Sequence, residues 1–405
     1  MRIAVVNSFF PPRVGGSAHL SEVLALEYAR AGHEVLVITT RYRDAPAEER
    51  YDGIRVVRLP SWKLPRMRLS IDFDIAFASR PGNVRRIRRL LDEFRPDVLH
   101  QHGQFFDLTW MTGLYGHRRK IPTLLSVHTR LENPKPGYNA LFAFLDTTLV
   151  RFFLGRYRPD FVVMDRLMDR YIRNRYRADE GRLVAIPVGV EPSRFVGTTG
   201  TDVRAAFELG KGPIILSLGH VIPVRDRVDL VKALPLVRKT HPDVRVVVVG
   251  EVHYPKFLEL AAELGVDDLI KCVGPQPKPA IPDFMAAADV EVHDLQGYGL
   301  GTASLEAMAA GLPVVAAVRS DNFPGLQLRD GEVCLLVPLH DDEALAGALD
   351  RLLSDAELRA RIGAASRSFV LAHFTVEQVA NAHLDHLAAM TARQKPQAPP
   401  AAGDR

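Results

Sequence analysis

Apolar residues along the chain fall into two kinds of run. Short unbroken ones at 3–6, 35–39, 54–58, 97–100, 123–128 and 161–163 read as strands buried on both faces, the pattern of a parallel sheet. Between the first two, the loop FFPPRVGG is rich in breakers, and Ser17 is placed to cap a helix over 17–30 with Leu20, Val23, Leu24 and Ala31 on one face. Strand, glycine loop, helix, strand is the opening of a doubly wound domain. The period predicts two further helices in this half. Segment 83–94 has Val84, Ile87, Leu90 and Leu91 as its stripe, and segment 140–153 has apolar residues at 141, 142, 145, 149, 152 and 153, a stripe expected to be core.

Residues 183–189 close this series, and 197–200 read as a linker. A second series follows, with strands at 214–218, 244–249, 270–273, 314–317 and 333–337, and with 286–292 carrying the chain into the stretch that starts at 296. Its helices begin near Asp229 and cover 342–353 and 356–362, and a final helix over 376–390 has room to cross back to the first domain. Residues 392–405, with three prolines, are expected to be disordered. The fold class is therefore α/β with two doubly wound Rossmann-like domains, 1–196 and 197–374, then a helix over 375–391 and a tail.

Charge divides the halves. Residues 1–200 carry 32 Lys and Arg against 21 Asp and Glu, and residues 201–405 carry 20 against 27, net charges of +11 and −7. A basic first half predicts an anionic surface or substrate met there alone. Segments 58–69 and 83–94, the latter with Arg85, Arg86, Arg88 and Arg89 around its stripe, fit either an anionic membrane surface or a solvated face over a docked helix. Nucleic acid is a poor fit, because nothing resembles a helix-turn-helix and the acidic half would be repelled by a duplex. Two cysteines, Cys272 and Cys334, lack metal-ligand spacing and suggest thiols in a reducing compartment. Because 3–6 is already strand-like, no leader is expected ahead of it, and no apolar run reaches the roughly 18 residues of a bilayer span, so the expected location is cytoplasmic, soluble or peripheral on the membrane.

The chemistry concentrates at 296–315, QGYGLGTASLEAMAAGLPVV. Gly297, Gly299 and Gly301 lead into a helix expected to start near Thr302, with Thr302 or Ser304 as its cap, and 311–313 end it. A helix N-terminus takes phosphate, and Glu306 within the next turn and a half offers a carboxylate to a diol. Phosphate and diol together describe a nucleotide. His128 ends a strand, where a doubly wound fold puts functional groups.

These motifs, in this order, resemble the retaining glycosyltransferases of family 4, which have the GT-B architecture of two Rossmann-like domains facing a cleft. The resemblance runs from residue 1 to about residue 390 and includes FFPPRVGGSAHLSEVLALEYARAGHEVLVIT, SLGHVIPVRD, VVVVGE, AAADVEVHDLQGYGLGTASLEAMAAGLPVVAA and RDGEVCLLVP. It implies a nucleotide-sugar donor as substrate, no cofactor and no metal requirement. It further implies that Gly16 places its N–H near the donor phosphate, that His128 lies beside the transferred sugar, and that Arg225 stands for a lysine on the diphosphate. Glu306 would hold the ribose. Tyr298, Gly299, Leu300, Gly301 and Thr302 would line the donor, and Gly274 would border the base.

Two positions depart from the family. Its first glutamate falls here on Tyr298, eight positions before Glu306, with Asp294 or Gln296 as substitutes if the loop shifts. An arginine beside the diphosphate is here His220, a pH-dependent cation for which Arg227 is a candidate replacement. Asp72-Phe73-Asp74 is formally a metal-binding D-x-D of another fold and is read as coincidence. The expected activity is retaining transfer of a hexose to a membrane lipid, a lipid-linked glycan or another glycan. A soluble acceptor, or a sugar-nucleotide-binding protein without turnover, are the alternatives.

Overall fold

The computed structural model describes residues 1–13, 15–63, 76–131, 136–195 and 197–394. Contacts divide the chain into two units. One holds Met1–Met164, Met168–Ile186 and the chain from Val379 on, and the other holds Asp165–Leu167 and Pro187–Gln378.

In the first unit an eight-stranded sheet runs, in spatial order, Leu183–Ala185, Asp160–Val163, Thr123–Ser126, Val98–His102, Arg2–Asn7, Glu34–Thr40, Ile54–Leu59 and Glu48–Tyr51. All neighbours pair in parallel except the last, an antiparallel edge. Except at the edges, Glu48–Tyr51 and Leu183–Ala185, the strands are buried on both faces, which is why most read as apolar runs. From Arg2–Asn7 the chain winds one way to Ile54–Leu59, then returns to the other side of its first strand at Val98–His102. Crevices for ligands form outside the carboxyl ends of strands at such a reversal.

The second unit holds six parallel strands in the order Ile270–Gly274, Arg245–Val249, Ile214–Leu218, Val290–Val292, Val314–Ala316 and Leu335–Leu336. Alternate residues face two cores. Ile215, Val246 and Val248 pack with Leu230, Leu234 and Leu349 on one side, and Leu216, Val247 and Val249 pack with Leu305, Met308 and Phe374 on the other. Its reversal lies between Ile214–Leu218 and Val290–Val292.

Several expectations need correction. Residues 187–195 pack with the second unit, because the Val190 amide donates to the Phe374 carbonyl and the Val376 amide to the Val190 carbonyl. Helix Gly16–Arg30 starts on Gly15 without a side-chain cap, so Ser17 lies inside it. Its carbonyl instead accepts from Nδ2 of Asn7 at 3.1 Å. Helix Val376–Gln394 runs beyond 391, and 395–405 lie outside the described residues, as do Asp72-Phe73-Asp74 and residues 64–69 of the basic segment. Arg58 is no surface cation: it is buried, ion-paired to Glu49 and bonded to the carbonyls of Pro11 and Pro46.

The two helices of the first half differ in how they are covered. In Pro81–Phe94 the stripe residues Ile87, Leu90 and Leu91 are buried against the sheet, so its arginines form a solvated face over a docked helix. Segment 140–153 is largely outside the core. Pro136–Leu145 contains no buried residue, and Leu141, Phe144, Leu149 and Phe152 are exposed.

Candidate functional site

At the reversal of the second unit, the loops after Ile214–Leu218 and Arg245–Val249 meet backbone to backbone. Gly219 and Gly250 have φ of +114° and +144°, and a Cβ on Gly250 would lie 2.4 Å from the Gly219 carbonyl oxygen. Only glycine fits there. Arg227 staples the loop that follows. Buried below it, the guanidinium donates to the carbonyls of Arg225 at 2.6 Å and Gly219 at 3.3 Å, and lies 2.7 Å from Nδ1 of His293. Burial lowers its pKa to about 10, with Glu291 and Asp294 opposing. Arg227 is thus spent on the loop and cannot stand in for His220.

The helix after the glycine run is Thr302–Ala310. Neither Thr302 nor Ser304 caps it. The Gly301 amide donates to Oδ2 of Asp294 at 2.5 Å, and the Ser304 hydroxyl reaches down to Asp294 and to Oε2 of Glu291, each at 3.0 Å. Two buried carboxyls therefore hold the start of the helix from beneath. Burial raises both, Glu291 to about 8, with the Asp294 charge adding to the rise. The amides of Thr302 and Ala303, which unlike Ser304 are not buried, precede the first intrahelical bond, from the Leu305 amide to the Gly301 carbonyl.

Arg225 lies over this end. Its Nη2 is 3.1 Å from where a Gly301 Cβ would stand, and its Nε is 3.7 Å from Oδ1 of Asp294. Glu306 is half-buried on the same helix. Burial lifts its carboxyl to about 7, against the pull of Lys278 and Arg194. The amides at the helix start, a half-exposed guanidinium and a carboxylate one turn on offer donors to an anion and an acceptor to a diol.

The remaining residues expected here divide. The Leu300 side chain is in the core, so only its backbone can face a ligand. Gly299, with φ of +91°, sits against Oδ1 of Asn322 at a distance no Cβ would relax into easily. Tyr298 is exposed, whereas Asp294 holds the helix start and Gln296 bonds Asp226 and Asp229, so neither replaces the absent glutamate. Gly274 ends its strand at φ +70° and gives its carbonyl to the Gly250 amide. His220 turns to the neighbouring loop, where its Nδ1 accepts from the Glu251 amide at 3.0 Å. His220, Glu251 and His253 bring ligand atoms within 4.8 Å of one another, but a cation on Nδ1 of His220 would have to displace that amide.

Gly16 and His128 belong to the first unit. Gly16 begins its helix with open space where a Cβ would stand. His128 follows Thr123–Ser126 with its Nε2 2.9 Å from Nδ1 of His102. Burial lowers its pKa to about 4, so it is a neutral imidazole. Behind it lie His102, His100 and His383, all buried, with Tyr28 and Ser126 on the two nitrogens of His100. Sequence reading passed over this histidine group and the pair Glu291 and His293. Their signal was present: polar residues inside runs otherwise apolar enough to be buried strands, LHQH and DVEVHD.

Comparison with known proteins gives two family matches, Glycosyltransferase Family 4 over residues 14–194 and Glycosyl transferases group 1 over 201–369. A D-inositol 3-phosphate glycosyltransferase of Acidothermus cellulolyticus is 31% identical over 411 residues, covering 90% of this chain and 84% of that protein. A GDP-mannose-dependent alpha-(1-6)-phosphatidylinositol monomannoside mannosyltransferase of Mycolicibacterium smegmatis is 28% identical over 386 residues, 91% and 93% of the two chains. Among solved structures, sucrose-phosphate synthase from Thermosynechococcus elongatus matches with a TM-score of 0.70 at 21% identity, covering 97% of this chain and 99% of that one. Anabaena HepE in complex with UDP matches at 0.71 and 15% identity over 96% of this chain and 100% of its own. These structures place the fold in the GT-B class.

Proposed function

Since the chain belongs to glycosyltransferase family 4, we propose that it moves a hexose from a nucleoside-diphosphate sugar to a membrane lipid or lipid-linked glycan, with retention of anomeric configuration. The observation that carries the donor half is the grouping of the Thr302 and Ala303 amides at the helix start, Arg225 over Gly301, and Glu306 on the same helix. Diphosphate occupies the amides and Arg225, and the ribose hydroxyls donate to Glu306. The lipid acceptor rests on the basic first half and on the phosphatidylinositol glycolipid in the name of the Mycolicibacterium relative, which also makes GDP-mannose the first donor to try.

In the reaction the bond from sugar C1 to the β-phosphate oxygen breaks, with its electrons going to phosphate. The acceptor oxygen bonds C1 on the face being vacated, and its proton passes to the departing phosphate. Charge developing on that phosphate is met by the helix amides and Arg225, which are in place before the bond breaks. The same reading gives Gly16 an N–H contact to the donor phosphate. His128, neutral and with Nε2 held by His102, hydrogen-bonds the transferred sugar through Nδ1.

The test is nucleoside diphosphate release from a panel of GDP- and UDP-sugars, with phosphatidylinositol glycolipid in detergent as acceptor. Release from one donor is expected, and Arg225→Ala lowers kcat by about 10²-fold or more. The anomeric proton of the product, read by nuclear magnetic resonance, decides retention. Silence across the panel while nucleotide still binds, or an Arg225→Ala variant as fast as the wild type, sinks the reading.

A further inference from the structure

Of the ten exposed large hydrophobic side chains among the described residues, four lie on one helical segment: Leu141, Phe144, Leu149 and Phe152. Phe144 and Phe152 are 62% and 67% exposed. The segment is Pro136–Leu145, a π-helical turn Asp146–Val150, and Arg151–Tyr157. In an unbroken α-helix the step from 144 to 149 would turn Leu149 away from the line begun by Leu141 and Phe144. The π turn takes an extra residue and restores the line.

That turn is built, not incidental. Asp146, fully buried, accepts from the hydroxyls of Tyr171 and Tyr176, with Arg175 beside it, while Val150 and Leu154 anchor the inner face in the core. The carbonyls that such a turn leaves short of partners are covered by the helix itself. The hydroxyls of Thr147 and Thr148 donate to the carbonyls of Ala143 and Phe144, each at 2.6 Å. The outer face therefore offers apolar side chains and few unpaired polar groups, a surface suited to an apolar medium.

Charge selects the occupant. Over residues 136–158 the acid is Asp146, sealed inside, and the bases are Arg151, Arg156 and Arg158, of which the last two are exposed. Apolar side chains flanked by arginines without an exposed acid complement the anionic interface of a bilayer. A second copy docked on the same face about a twofold axis would set these arginines against their own counterparts.

We propose that the outer face of helix 136–157 is the surface by which this protein docks on anionic membranes, with Phe144 and Phe152 entering the acyl boundary and Arg156 and Arg158 meeting headgroup phosphates. This rests on the reading of the acceptor as a membrane lipid. The arginine-rich helix Pro81–Phe94 is not the docking element, because its apolar stripe is already buried.

The test is cosedimentation of the full chain with phosphatidylcholine vesicles containing phosphatidylglycerol, and with phosphatidylcholine alone. The wild type binds the anionic vesicles, and the double variant Phe144→Ser, Phe152→Ser binds about tenfold more weakly or worse. Arg156→Glu also weakens binding, whereas Arg86→Glu does not. Because the replaced side chains are exposed, the double variant keeps its thermal unfolding midpoint. A tryptophan placed at 144 is quenched by brominated acyl chains. A double variant that binds like the wild type, or a wild type that ignores anionic vesicles, overturns the surface. So does a wild-type dimer that the double substitution splits while vesicle binding is absent. Turnover with detergent-dispersed acceptor keeps the two readings apart. A double variant that turns over but no longer docks supports the surface, and a wild type that docks without turnover on any donor sinks the proposed function alone.

Discussion

Glu306 is the residue whose ionisation the donor would feel most directly. Its carboxyl is lifted to about 7 by burial, opposed by Lys278 and Arg194. A ribose diol donates two hydrogen bonds to a carboxylate but only competes with a protonated acid for its single donor and fewer acceptor sites. The phosphates of a nucleotide sugar do not titrate near neutrality, so the enzyme side dominates. KM for the donor is therefore expected to rise as pH falls from 8 to 6, flattening above about 7, with Glu306→Gln showing a raised KM and little dependence on pH. A wild-type KM that is level across this range, measured by initial rates at each pH, removes Glu306 from the ribose. What lay open in the sequence was Glu306 itself, through its distance from the glycine run. The carboxyls beneath the helix were legible only as polar residues inside the buried run DVEVHD; that Glu291 meets a serine hydroxyl one helix away was not.

At the scale of elements, the site depends on two loops pressed together at Gly219 and Gly250. A methyl on Gly250 meets a carbonyl oxygen at 2.4 Å and cannot move aside, since the atom belongs to backbone held by Arg227. Gly250→Ala should cost about 2–4 kcal/mol of stability in urea unfolding and should lower donor affinity with it, as the loop carrying Arg225 shifts. An equally stable variant would show that the loops can part freely. The order of strands and helices was legible here because parallel strands covered on both faces leave unbroken apolar runs. Which helix is covered was not. Ile87, Leu90 and Leu91 make a stripe like that of 141–153, and periodicity reports a stripe without saying what lies over it. The short edge Glu48–Tyr51 opens with three consecutive charged residues and shows no apolar run at all, so it went unread.

The first unit buries a group of histidines, with Asp146, raised by burial, as the opposing carboxyl, and the second buries a group of carboxyls. In the first, burial lowers His128 and His383 to about 4 and holds His100 and His102 well down, so all four are neutral when folded. The groups facing them are Tyr28, Ser126, and His386 with its partner Asp160. Unfolded, each histidine titrates near 6.5, so below that pH the unfolded chain binds more protons and stability falls with acid, by up to about 1.4 kcal/mol per pH unit for each group. In the second unit burial raises Glu291 to about 8, Glu306 to about 7 and Asp294 as well, with neutral His293 as the opposing group. There the folded state binds more protons than the unfolded one from about pH 4.5 upward, and the carboxyls lose stability as pH rises through 7 to 8. Acidification from pH 7.5 to 5.5 should then weaken the first unit while the carboxyls support the second. The chain carries its own probes: both tryptophans, Trp62 and Trp110, lie in the first unit, and buried Cys334 lies in the second. In a Cys272→Ser background, tryptophan emission and labelling of Cys334 by a pyridyl disulfide, followed through urea at both pH values, read the two units separately. The tryptophan midpoint should fall at pH 5.5 and the thiol midpoint should hold or rise, and His383→Leu should flatten the first response alone. Midpoints that move together would mean that these buried groups do not govern the pH response of their own units.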